Sequence, residues 1–131
     1  MNKKKILLID DEASNTRPMK VNLDRTGRYI VQTENNALHA LEAARQFKPD
    51  LIFLDVMMPD MDGGQVAAQM ETDPGLKNVP VIFLTAIVTK RETGEQGVVK
   101  SGHKFIAKPL NLEALVACIE ENTRTKALEI N

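Results

Sequence analysis

Residues 51 to 63 read LIFLDVMMPDMDG, and the first five of them, Leu51 to Asp55, decide the fold. Four consecutive apolar side chains closed by an aspartate leave no polar face, which suits a strand covered on both sides in the interior of a parallel sheet. Comparable runs occur at Ile6 to Ile9, Tyr29 to Val31, Val81 to Leu84 and Phe105 to Ala107. The second and fifth runs are weaker and are assigned to sheet edges. Between the runs, apolar residues recur at three- or four-residue spacing: Met19 and Leu23, then Ala37, Leu41 and Ala44, then Val66 and Met70. Each set marks a helix with one buried face. The last helix is the clearest, because Leu112, Leu115, Val116 and Ile119 follow the i, i+3, i+4, i+7 template and Asn111 is placed to cap it. Gly27, after Arg25 and Thr26, ends the first helix.

Strand and helix alternating five times, with right-handed crossovers, predicts a doubly wound α/β sandwich with helices on both faces. The flavodoxin-like strand order 2-1-3-4-5 is one of two common solutions for such a sheet. Val88 to Lys100 makes the weakest helix, since Gly94 and Gly97 each cost about 1 kcal/mol relative to alanine in a helix interior. The tail Glu120 to Asn131 is polar and has no stop signal, so a helix running out of the domain and a fraying end are both open.

The chain has 131 residues, enough for one ordinary core. Its 17 Lys and Arg nearly balance its 18 Asp and Glu, so a nucleic-acid-binding surface is not expected. Lys3, Lys4 and Lys5 precede only four strongly apolar residues, too few for a signal peptide or a membrane span, and a cytoplasmic protein without membrane contact is expected. Cys118 is the single cysteine and sits among helix-periodic apolar residues, where a small buried side chain is expected rather than a reactive thiol. His39 and His103 have no partner at ligand spacing and are assigned to the surface.

The polar residues that close the strands carry the chemistry. Asp10 and Asp11 follow the first strand, Asp55 the third, Thr85 the fourth and Lys108 the fifth. In an open α/β sheet, ligands bind beyond the carboxyl ends of the strands where the strand order reverses, here between strands one and three. Asp10, Asp11 and Asp55 are expected to meet there. Alone, each is better explained as a helix cap. Three ionised carboxylates require a cation, and hard oxygen ligands suit magnesium. Lys108 and Thr85 add a positive charge and a hydroxyl, a set suited to a phosphoryl group. No glycine-rich loop of the Walker type is present, which leaves a carboxylate as the natural phosphoryl acceptor. Asp55 is central.

Asp10-Asp11, Asp55 within LIFLDVMMPDMDG, Thr85-Ala86 and Lys108-Pro109, in that order, resemble the bacterial response-regulator receiver family (CheY-like) over residues 4 to about 122. The resemblance implies a phosphorelay switch in which Asp55 takes a phosphoryl group from a phosphohistidine of a partner histidine kinase or phosphotransfer protein. It implies magnesium on Asp11, Asp55 and the backbone carbonyl of Met57, with Asp10 assisting, often through water. It implies that Lys108 pairs with the phosphoryl group, that Thr85 moves to hydrogen-bond it, and that Phe105 turns inward in response. The face of the fourth helix, fifth strand and fifth helix then changes for an unknown downstream protein or fused output domain, with a phosphorylation-dependent dimer left open. Phe105 lacks the hydroxyl of the commoner tyrosine. Pro109 matches a position whose peptide bond is usually cis in the family. Pro59 and Gly63 fall in the loop after the acceptor as turn residues that also keep it accessible. Met57 and Ile87 are apolar where attacking water approaches, which implies slow loss of the phosphate. The domain is assigned to residues 1–122, and 123–131 to a C-terminal tail for which the start of a linker helix to an output domain is one reading.

Two other functions remain in view. A phosphohydrolase of the haloacid-dehalogenase type needs an aspartate two residues after the nucleophile, where Met57 stands, so the chain is expected not to be an enzyme beyond weak self-phosphatase activity. A receiver-like scaffold that is never phosphorylated is disfavoured by the full set of acceptor-site residues.

Overall fold

In a computed structural model, β1 (Lys4–Ile9), β2 (Tyr29–Glu34), β3 (Leu51–Asp55) and β4 (Val81–Thr85) lie side by side in the order β2-β1-β3-β4, all parallel. The structure describes residues 3–55, 63–85, 98–100, 103–107 and 111–130, with the backbone course alone at 85, 98–100, 103–107 and 124–130. All five residues of β3 are buried, as a strand with covered faces and paired edges requires.

Side chains alternate between two cores. Leu7, Ile9, Ile52, Leu54 and Phe83 face one way and pack with α2 (Ala40–Phe47) and α3 (Gly63–Thr72) through Ala40, Ala44, Val66, Ala67 and Met70. Ile6, Leu8, Leu51, Phe53, Ile82 and Leu84 face the other way, toward Leu23 of α1 (Ala13–Arg25) and Leu115, Cys118 and Ile119 of α4 (Leu112–Ile130). The period of two along each strand thus feeds one core on each face of the sheet. Cys118 is a buried thiol, and the Asn122 side chain donates to its carbonyl at 2.7 Å.

The helix ends follow local chemistry. Asn111 accepts a 2.7 Å bond from the Ala114 amide and caps α4, which continues as one helix through Ile130. Gly27 adopts φ +73, the left-handed conformation that closes α1. The segment with Ala37, Leu41 and Ala44 does not begin as an α-helix. A 3-10 turn, Ala37–His39, precedes α2, and Asn36 caps it by accepting 2.9 Å from the Leu38 amide. His39 is exposed.

Two expectations are corrected at the far edge. The sheet has six strands rather than five, and it is not wholly parallel: β6 (His103–Ala107) pairs parallel with β4, and β5 (Val98–Lys100) adds to it antiparallel. Val98 to Lys100 had been assigned to the end of a fourth helix, whose remaining residues 88–97 lie outside the described ones. Pairing with β6 sets the conformation of this segment, and the β-branched Val98-Val99 accommodates it, with two residues, Ser101 and Gly102, between the paired strands. Among the described residues, no helix is long and apolar enough to cross a membrane.

At the amino ends of the strands, Glu120 of α4 collects three donors. The Tyr29 hydroxyl donates to it at 2.7 Å, Lys4 approaches at 3.1 Å and Arg28 at 3.4 Å. Burial, then the bond to Glu120, pushes the Tyr29 hydroxyl up to about 12. The folded chain therefore holds this proton more tightly than the unfolded chain. The stabilisation is complete below the ordinary value of 10 and is lost as pH rises toward 12. Tyr29 is the single tyrosine, so phenolate absorbance reports it alone. Its titration is expected near 12 in native protein and near 10 in denaturant; a native midpoint near 10 would contradict the arrangement.

Candidate functional site

Strand order reverses between β1 and β3, because β2 lies on one side of β1 and β3 on the other. Ile9 is level with Leu54 across this pair, so Asp10 and Asp55 leave the sheet side by side. Burying a carboxylate at a strand end costs free energy unless charge or hydrogen bonds offset it. Here Asp10 and Asp55 are only 2% and 6% exposed. Oxygens of Asp10, Asp11 and Asp55 lie within 4.8 Å of one another. This all-carboxylate donor set at that separation fits a small hard cation such as magnesium.

The cluster is asymmetric. The Asp10 carboxylate accepts 3.0 Å from the Glu12 amide on one oxygen and 3.2 Å from the Asn15 side chain on the other. Burial, then hydrogen bonding to Asp10 and its charge, holds the half-buried Asp11 carboxyl above its ordinary range. The peptide of Asp10 is held from β2: its N–H donates to the Glu34 carbonyl at 3.2 Å, and its carbonyl accepts from the Asn35 amide at 2.7 Å.

Of the other residues singled out by sequence, Thr85 ends β4 one residue beyond Leu84, which is level with Asp55, and it pairs in register with Ala107 of β6. Phe105 lies in β6 level with Phe83. Met57, Pro59, Ile87, Lys108 and Pro109 fall outside the described residues. Sequence reasoning missed Asn15 and Asn35. The available signal for Asn35 was its place just past β2, at the sheet end where the other polar residues gather.

The response regulator receiver domain model matches residues 6–120 of the chain. The chain belongs to the response-regulator receiver family. Membership implies phosphoacceptor signalling. The response regulator PleD of Caulobacter vibrioides is 35% identical over 122 residues, which are 93% of this receiver and 26% of PleD. The chain thus spans about a quarter of that relative. A two-component response regulator from Clostridium difficile shares the fold with a TM-score of 0.77 at 28% identity, over 93% of this chain and 97% of that one. The receiver domain of sensor histidine kinase PA1611 from Pseudomonas aeruginosa, solved with magnesium coordinated in its active-site cleft, has a TM-score of 0.78 at 22% identity. It covers 94% of this chain and 99% of that domain, and shows likeness of fold.

Proposed function

We propose that this receiver is a phosphorylation-operated switch whose acceptor is Asp55. The observation that carries the proposal is the meeting of three carboxylates within 4.8 Å at the point where strand order reverses. An Asp55 oxygen attacks the phosphorus of a partner's phosphohistidine. The new P–O bond replaces the P–N bond, whose electron pair returns to the imidazole. Asp11, Asp55 and the Met57 carbonyl would hold magnesium, with Asp10 behind them. When bound, the ion offsets the negative charge gathered between carboxylates and phosphoryl oxygens. Lys108 pairs with the phosphoryl group and Thr85 donates its hydroxyl to it. Thr85 and Phe105 then relay the change to a face that includes β6 and α4. That face controls a downstream partner or output domain, in a soluble cytoplasmic setting.

Asp10, buried and accepting from Glu12 and Asn15, is held to orient rather than to attack. Incubation with acetyl phosphate and magnesium is expected to add the mass of one phosphoryl group, found in the peptide that contains Asp55. Chelation of magnesium with EDTA before the donor is added should reduce the yield by at least about tenfold. Continuous turnover of phosphate esters, or no adduct at all, would overturn the proposal.

A further inference from the structure

We infer that Asn35 is a positioning residue for Asp11, acting through the peptide that joins Asp10 to Asp11. The inference rests on the acidic cluster being a magnesium site. The Asp10 carbonyl belongs to the same rigid plane as the Asp11 amide, so whatever fixes that oxygen also fixes the direction in which Asp11 leaves the chain. Asn35 donates to this carbonyl at 2.7 Å. The bond continues the ladder between β1 and β2 one step past its last backbone pair, Ile9 with Glu34, using a side chain in place of a strand amide.

The same Asn35 nitrogen reaches the Thr16 hydroxyl at 3.1 Å. Thr16 is buried in α1 and its hydroxyl donates to the Ala13 carbonyl at 3.4 Å. One amide therefore ties the acidic turn to the end of β2 and to the first turns of α1. Glutamate or aspartate at this position would offer no donor, and alanine would leave the carbonyl to water. The plane could then rotate and carry the half-buried Asp11 away from Asp55. Asn36, the next residue, is spent on capping the 3-10 turn and makes a natural control.

The test is calorimetric titration of the full chain with magnesium chloride, beside melting curves recorded in EDTA. Asn35→Ala is expected to weaken magnesium binding about 10- to 100-fold, the usual effect of losing a residue that orients a metal ligand. Asn36→Ala should leave the affinity within about twofold, since it touches no ligand. A merely structural Asn35 would lower the melting temperature without this selective loss. Asn35→Ser, which keeps a shorter donor, should fall between wild type and Asn35→Ala and serves if the alanine variant fails to fold. Equal affinity in wild type and Asn35→Ala, or equal loss in both alanine variants, overturns the inference alone. Absence of magnesium binding by wild type overturns the magnesium site and the inference with it.

Discussion

Asp55→Asn is expected to reduce the phosphoryl adduct to background and, at the same time, to stabilise the metal-free protein. The first effect follows from chemistry, because the amide is a far poorer nucleophile than the carboxylate. Asp10 is a poor substitute, since both of its oxygens already accept hydrogen bonds, from Glu12 and Asn15. The second effect follows from electrostatics. Oxygens of the three carboxylates lie within 4.8 Å of one another, and removing one buried negative charge relieves repulsion on the order of 1 kcal/mol. For a chain of this length that is roughly 3–5 °C in melting temperature. Added magnesium should raise the melting temperature of wild type and do so far less for Asp55→Asn. Intact-mass measurement and melting curves in EDTA and in magnesium test both halves. A destabilised Asp55→Asn protein would count against a crowded anionic cluster.

The pH dependence has a defined sign. Burial, followed by Asp10, raises Asp11 above its ordinary value of 3.8, so the folded metal-free chain binds that proton more tightly than the unfolded chain. This stabilisation is complete below 3.8 and is lost as pH rises through the raised value. Magnesium competes with the proton and binds better as pH rises. The difference between wild type and Asp11→Asn isolates this group from Glu120, whose carboxyl is lowered chiefly by the Tyr29 hydroxyl and loses its contribution as pH falls.

Phe53→Ala is expected to have the largest effect on stability. Phe53 is fully buried at the middle of β3, level with Leu8 on one side and Ile82 on the other. Its ring belongs to the core closed by Leu23, Leu115 and Ile119 from two helices. Truncation removes the transfer free energy of the ring and leaves a cavity that strands paired on both sides cannot close, a cost of about 3–5 kcal/mol. Against a total of about 5–15 kcal/mol this approaches unfolding at physiological temperature. Ile30→Ala, at a position 45% exposed on the edge strand β2, should stay within about 0.5 kcal/mol. Urea titration compares the two, and a Phe53→Ala loss below about 1 kcal/mol would refute the prediction.

The run Leu51 to Asp55 illustrates what was legible without coordinates. Its unbroken apolar stretch specified a strand buried on both faces, and the aspartate where the stretch stops specified a strand end. Because parallel strands share a direction, such ends gather at one edge of the sheet. The meeting of Asp10, Asp11 and Asp55 was therefore inherent in the order of apolar runs and carboxylates along the chain. The Asn111 cap and the Gly27 stop were also legible, since both act within a few residues.

Three features were decided only by the tertiary structure. Val98–Lys100 is a strand of three residues, too short for a period to register, and its conformation is set by pairing with β6. Tyr29 and Glu120 stand 91 residues apart, and neither has a local pattern that names the other. Asn35 reads as an ordinary loop residue until β1 and β2 are placed in register and its amide falls on the Asp10 carbonyl. The sequence by itself determined the alternation of buried strands and helices and the ends at which the carboxylates stand, because these depend on residues adjacent along the chain. Tertiary structure alone decided the extra edge strand, because three residues carry no period and take their conformation from the strand they pair with, and it decided the Tyr29–Glu120 contact and the brace on the acidic turn, because both depend on which distant segments are brought within hydrogen-bonding distance.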